Sequence, residues 1–386
     1  MRIYYFSGAS FPSPEARSVH VIKMCEAFGK AGHDVTLFAM GSPYLDPDAV
    51  FKAYDVTGSF TLSLSHDVKL PLLSGYKRMR HIAEKMKALG APDMVYGRDP
   101  IALALFSPQQ VRVVFEASQV PQHKAEYVAI SRLIKRPGFC GIIALSDALK
   151  QIYLKKYPSL RPEQIFVAHD AADIPHNISG TALPVQSLKG REEAPKIGYA
   201  GTLHQGKGLS MILRIAPLLP DYDFHVVGGS KEELARIRKN TPPANVIFYG
   251  YRPHAEVAGY LKAFDIVLAP YQHQALIKTG KNISRWISPM KVFEYMAACK
   301  PIIASDLQIL REFLTHEQNA LLMTVGDPLA WVEAIKRLHH DPELCRRLSE
   351  NAFADLKKNF TWDMRVKTVL DFASGKRSSI TGTKAA

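Results

Sequence analysis

Short apolar runs alternate with longer amphipathic segments along the whole chain. Runs at 2–6, 34–39, 93–97, 111–115, 140–145 and 164–168 read as strands. A second series starts afresh at 197–201 and continues at 224–229, 245–250, 265–271, 300–306 and 319–323. Strands buried on both faces lose their polar alternation, and helical connections between them bring successive strands parallel. Between the first two runs, SVHVIKMCEAFGKAG carries apolar residues at helical spacing and stops at Gly32. The pattern predicts an α/β protein with parallel sheets. Residues 174–195, rich in Ser, Gly, Pro and charge, mark a boundary between domains expected at 1–185 and 186–360. Consecutive helices follow Trp331, and residues 361–386 are expected to return a helix to the first domain before a frayed basic tail, GKRSSITGTKAA. Ligands of open parallel sheets bind beyond the carboxyl ends of the strands, so two such domains imply a cleft.

Composition narrows this picture without redirecting it. At 386 residues the chain exceeds one comfortable core, and 47% hydrophobic with 22% charged residues is ordinary for a globular protein. No apolar run approaches the ~18–20 residues that span a bilayer, and no leader precedes the first strand, so a cytoplasmic location is expected. Cys25, Cys140, Cys299 and Cys345 lie far apart with no CxxC pair, which predicts reduced thiols and neither a zinc site nor a disulfide frame. The net charge is 49 − 36 = +13, shared between the halves as +6 for 1–190 and +7 for 191–386. That spread suits anionic ligands and an anionic membrane face, but charge alone does not choose between lipid and nucleic acid; nucleic acid is not expected as a partner because the chain carries no recognised binding module. Residues 69–89 hold six Lys or Arg and one acid, with Tyr76, Met79, Ile82, Ala83, Met86 and Leu89 in one stripe. Such a helix fits either packing on a sheet or peripheral contact with an anionic membrane.

Two segments carry chemistry. In SPMKVFEYMAACKPIIASD (288–306), a Ser-Pro start opens a helix and a buried strand follows at once. Pro at the first helical position would leave the Met290 and Lys291 amides pointing out of the N-terminus as an anion site, with Ser288 beside them. Glu294, a turn further in, could accept hydrogen bonds from a diol such as ribose. In YAGTLHQGKGL (199–209), a strand ends at Gly201, and a turn with Gly206 and Gly208 places Lys207 at the mouth of a helix. Glycine lets backbone approach a ligand, and lysine supplies a point charge for phosphate. Thr202 adds a hydroxyl.

With these motifs the chain resembles the retaining glycosyltransferases of GT-B fold, of the "glycosyl transferases group 1" or family 4 type, over almost its full length. The resemblance implies two Rossmann-like domains facing across a cleft, the first for the acceptor and the second for the donor. It implies a UDP- or GDP-sugar donor, a saccharide or lipid-linked saccharide acceptor, and no metal ion or other cofactor. Attack would be front-side, the leaving phosphate taking the acceptor proton. Lys207 and Glu294, with His20 and Arg98, are the expected catalytic set. Gly201, Thr202, Gly208, Ser288, Met290 and Lys291 would hold the donor, with Tyr251 and Arg252 of NVIFYGYRPHAEV near the nucleobase. Ser118 of VFEASQ, where a His is common in the family, and Asp173, closing VAHDAAD, fall on the acceptor side. The chain departs from the family pattern at Thr202, usually Arg, at Trp286, usually Glu, and at Cys299, usually Gly. Those departures keep two alternatives open, an epimerase-like enzyme of the same fold and a non-catalytic nucleotide-sugar binder.

Overall fold

A computed structural model describes residues 1–65, 71–174, 187–276, 280 and 282–376. The first series of apolar runs forms a seven-stranded sheet: β1 (Arg2–Ser10), β2 (Asp34–Met40), β3 (Thr61–Ser65), β4 (Met94–Gly97), β5 (Arg112–Ala117), β6 (Phe139–Ala144) and β7 (Ile165–Val167). The second forms a six-stranded sheet: β8 (Lys196–Ala200), β9 (Asp223–Val227), β10 (Val246–Gly250), β11 (Ile266–Ala269), β12 (Ile302–Ser305) and β13 (Leu321–Met323). The strand orders are 3-2-1-4-5-6-7 and 10-9-8-11-12-13, and the paired strands run parallel. Each expected run is a strand. β3 was not expected, because TLSLS alternates polar and apolar residues and lies at a sheet edge.

Register fixes what lies at the strand ends. Ile3 pairs with both Val35 and Met94 in the first sheet, and Val267 faces Gly198 and Ile302 in the second. In each sheet the chain winds outward from a central strand, then restarts on its other side, between β1 and β4 and between β8 and β11. Connections on opposite faces leave a crevice at such a switch point. The elements that carry chemistry therefore come after β1 and β4, and after β8 and β11.

The chain divides into two compact units, Met1–His169 with Trp362–Ala386, and Asp170–Thr361. The change comes at 169/170, ahead of the 185/186 expected, because Asp170 is already tied to the second unit through its amide, which donates to the Ser288 hydroxyl at 2.9 Å. Residues 175–186 of the expected boundary, 66–70 ahead of the basic helix and 377–386 of the expected tail lie outside the described residues. The helix Trp362–Ala373 belongs to the first unit, where Trp362, Val366 and Val369 are buried and Phe372 meets Phe166 at 6.0 Å.

The helix Pro71–Leu89 does not bury its apolar stripe as one face. Ile82 is buried, but Met79, Ala83 and Leu89 are exposed. Polar anchors set its rotation. Arg78 reaches the Ser7 carbonyl at 3.1 Å and Asp99 at 2.6 Å, and His81 meets the Ser63 hydroxyl at 2.9 Å. Among the described residues no helix is long and apolar enough to cross a membrane.

Candidate functional site

The second unit assembles the expected glycine loop and helix start at its switch point. β8 ends at Ala200, and residues 201–208 turn back over the sheet before the helix Leu209–Ile215. Gly206 has φ +79°, and a Cβ there would lie 1.6 Å from the Gln274 carbonyl, so only glycine fits against the segment after β11. Gly201, at φ +149°, leaves room for the Lys291 side chain, whose Cδ would lie 3.4 Å from an added Cβ. Tyr199 braces the loop from beneath: its hydroxyl donates to the Thr202 carbonyl at 2.7 Å and faces the Lys207 carbonyl at 3.2 Å. The Thr202 side chain itself is exposed.

Two lysines meet inside this bracket. Lys291 stands between aromatic rings, its Nζ 4.0 Å from the Tyr199 centroid and 4.4 Å from that of Tyr271, and donates to the Lys207 carbonyl at 3.2 Å. Lys207 Nζ lies 5.5 Å from the Tyr271 ring. Both are 8% exposed, and among the described residues neither has a carboxylate within ion-pair distance. Burial brings the Lys207 ammonium down from 10.5 to about 8. Burial, and then Lys207, hold Lys291 well below its ordinary value, against the pull of Glu294. Buried cations without counterions are costly unless a ligand supplies the charge.

The helix bearing Lys291 runs Met290–Ala297. Pro289 is its cap, not its first residue as the Ser-Pro start predicted, because Pro289 keeps an extended ψ of 102° while its carbonyl accepts from Val292. The Met290 and Lys291 amides remain the first two of the helix, where no intrahelical acceptor exists. Ser288 is committed to the Asp170 amide, which ties the segment after β7 to the helix start.

Glu294 lies one turn in, with 19% of its side chain exposed and His254 Nδ1 3.7 Å from its Oε1. Burial pushes its carboxyl above the ordinary 4.5. His254 opposes this, Asp173 adds to it, Lys291 opposes and Asp170 adds. Asp173, expected on the acceptor side, therefore belongs to the second unit and acts on Glu294. Tyr251 and Arg252 follow β10 at the sheet edge, two strands from β8. Tyr251 is 56% exposed, and the Arg252 guanidinium sits 5.8 Å over the Tyr260 ring. Cys299 has φ +53°, which explains the glycine that the family favours at this position.

In the first unit, His20 and Arg98 meet on a residue the sequence did not single out, Glu116. This carboxylate is fully buried at the end of β5 and accepts from Tyr96 at 2.6 Å, Arg98 at 2.9 Å, Tyr5 at 3.2 Å and Arg365, with His20 Nε2 2.8 Å from its Oε1. Burial alone would raise its pKa, but Arg98, His20 and Arg365 outweigh it and hold the carboxyl well below 4.5. His20, expected in the catalytic set, is 1% exposed and lies edge-on to Trp362 at 5.1 Å. Ser118, two residues past Glu116, lines a cavity together with Arg98.

Sequence reasoning missed Tyr199, Tyr271, His254, Glu116 and Arg365. Glu116 did carry a signal, a lone carboxylate inside an apolar strand, which demands buried cations.

Comparison with known proteins bears on both units. The glycosyl transferases group 1 family matches residues 194–341. A phosphatidyl-myo-inositol mannosyltransferase from Mycolicibacterium smegmatis is 22% identical, over 89% of this chain and 86% of its own. The lipopolysaccharide core biosynthesis glycosyltransferase LpsD of Rhizobium meliloti is 33% identical over 42% of this chain and 44% of its own. Among solved structures, Anabaena HepE in complex with UDP superposes with a TM-score of 0.69 at 16% identity, covering 97% of this chain and 100% of that one. The fold is that of the GT-B glycosyltransferases, and with the group 1 match in the second unit it supports a GT-B glycosyltransferase.

Proposed function

We propose that the protein is a retaining hexosyltransferase that moves a sugar from a UDP- or GDP-sugar to a hydroxyl of a saccharide or lipid-linked saccharide, without a metal ion. The observation that carries this reading is the pair of buried lysines, Lys207 and Lys291, without carboxylate partners among the described residues. A diphosphate brings the two negative charges that such a pair lacks. Lys207, the helix-start amides of Met290 and Lys291, and the Thr202 hydroxyl stabilise the charge that develops as the nucleoside diphosphate leaves. The Lys291 ammonium holds the loop through the Lys207 carbonyl and adds its field. Glu294, steadied by His254, accepts from the ribose hydroxyls. Retention follows the family resemblance, with the leaving phosphate oxygen taking the acceptor proton. The exposed basic residues of the helix Pro71–Leu89 favour work at the cytoplasmic face of an anionic membrane.

Two expectations test the reading. Incubation with UDP- and GDP-sugars and a membrane extract should release nucleoside diphosphate in step with acceptor glycosylation, at an undiminished rate in excess chelator. Epimerised donor without acceptor, or binding without turnover, would move the assignment to one of the alternatives. The second expectation concerns pH. Donor binding needs Lys207 charged, and its free-enzyme value is about 8. The donor KM should therefore be flat below that value and rise as pH climbs through it. A KM unchanged across that range would remove Lys207 from the phosphate site.

A further inference from the structure

The loop that carries Lys207 has to be held against its own charge. Lys207 is buried with no carboxylate partner among the described residues, and opening of the loop would return its ammonium to water. On the side of β11 the loop is secured through its backbone: the Gln205 and Gly206 carbonyls accept from the Leu276 and Gln272 amides at 2.9 and 3.0 Å. On the side of β9 the attachment is made by side chains. Leu203 fills the space over Gly229, where an added Cβ would lie 2.4 Å from its Cδ1. Next to it, His204 Nδ1 lies 3.0 Å from Oε1 of Glu233. Among the described residues, His204 is the one side chain of 201–208 that hydrogen-bonds to the protein.

The partner is held ready for this bond. Glu233 is the third residue of the helix Lys231–Lys239 and closes its capping box. Its Oε2 accepts from the Ser230 amide at 2.8 Å, while its own amide donates to the Ser230 hydroxyl at 3.2 Å. The cap uses one carboxylate oxygen and fixes the direction of the other, which meets His204; a side chain locked in this way is preorganised. A carboxylate only accepts, so His204 Nδ1 carries the hydrogen. The two side chains are 31% and 16% exposed, which shields the bond partly from water. The His204 carbonyl accepts in turn from the Lys207 amide at 3.0 Å and closes the turn that presents Lys207. One residue thus holds Lys207 by its backbone and Glu233 by its ring.

We propose that His204 and Glu233 are positioning residues of the donor site: their bond clasps the 201–208 loop to the helix start and keeps Lys207 turned inward before any donor arrives. That the loop serves a diphosphate rests on the reading above; that the pair holds the loop does not. The groups that face the Lys207 ammonium are the Lys291 ammonium and the Tyr271 ring, with the Tyr199 hydroxyl against the Lys207 carbonyl. None supplies a negative charge, since burial holds both tyrosine hydroxyls well above their ordinary value. The clasp therefore works without electrostatic help.

The Lys207 amine can be titrated with neither donor nor turnover. Competitive acetylation of the full chain by trace acetic anhydride over a range of pH, read by peptide mass spectrometry, gives the midpoint for this one lysine. In the unmodified protein the midpoint should fall at about 8. His204→Ala and Glu233→Ala should each raise it by about one pH unit, a tenfold gain in proton affinity, and the double variant should raise it no further. His204→Asn, whose amide can donate to the same oxygen, should restore it. Ser230→Ala weakens the helix cap but spares the pair, and should leave the midpoint unmoved. Sugar transfer at neutral pH should fall about tenfold in His204→Ala, as expected when a catalytic group is misplaced, and recover in His204→Asn. Three results overturn the proposal: Lys207 of the unmodified protein titrating at 10.5, an unshifted midpoint in folded His204→Ala or Glu233→Ala, or a shift in Ser230→Ala equal to that in Glu233→Ala. UDP and GDP binding is measured on the same preparations. Failure to bind either, with the Lys207 midpoints as expected, would sink the donor reading and leave the clasp standing.

Discussion

Lys207→Met should lower sugar transfer by about 10²–10³-fold, the effect of removing one preorganised donor from a developing anion, and should not lower the unfolding temperature. These outcomes go together for one physical reason. The fall in the Lys207 ammonium from 10.5 to about 8 corresponds to roughly 3 kcal/mol held against the charged form by burial. Methionine keeps most of the apolar stem and removes that cost, so the fold loses little or gains. Such a trade of stability against activity is expected where a site is built around an unmet charge. Thermal unfolding and single-turnover transfer on the same preparation decide it. Near-normal turnover in the folded variant would falsify the donor-phosphate assignment. A large drop in melting temperature would show instead that Lys207 is a structural cation with a partner.

Glu116→Ala should destabilise the first unit by about 3–5 kcal/mol, the usual cost of removing one member of a buried charge cluster. The carboxylate is fully buried and faces Arg98, Arg365 and His20 together. Alanine would remove the carboxylate that Arg98 and Arg365 share and deprive Tyr5 and Tyr96 of their acceptor. Glu116→Gln, which keeps the shape and one acceptor oxygen, should cost less. Trp362, 5.1 Å from His20, reports on this region by fluorescence during urea unfolding. The pH dependence has a defined sign. Because the folded carboxyl lies well below 4.5, its contribution is present above the unfolded carboxylate value and is lost as pH falls through the folded one. Acid unfolding of the unmodified protein should therefore be steepest well below about pH 4, and Glu116→Gln should flatten it. A Glu116→Ala protein as stable as the parent would mean that the cluster is not an interior anchor.

The strands were legible because burial on both faces writes a continuous apolar run, and only β3, polar at alternate positions on a sheet edge, escaped. The glycine loop was legible for the same kind of reason: positions that exclude a Cβ, such as Gly206, leave a mark that no other residue can supply. Side-chain partnerships were not. Tyr199 and Tyr271 read as ordinary strand aromatics until the fold sets them on either side of Lys291, nearly a hundred residues from the first. His20 sat at helical spacing and could have faced either way; its direction is set by Glu116 on β5. The segment 69–89 left sheet packing and membrane contact both open because its apolar stripe says nothing of Arg78 and His81, whose contacts with Asp99 and Ser63 set the rotation of the helix Pro71–Leu89.

The return of the helix Trp362–Ala373 to the first unit has a consequence for synthesis on the ribosome. Glu116 and Arg365 are separated by 249 positions in sequence. At ~5–20 residues per second, one is made about 12–50 s before the other. Throughout that interval the nascent first unit holds its buried carboxylate with Arg98, His20, Tyr5 and Tyr96, its second guanidinium still unwritten. The second unit, whose sequence lies wholly between the two crossings, can complete first. The order of completion is thus the reverse of the order of emergence, and a released chain truncated at Thr361 should present a complete second unit and a first unit that lacks its last helix.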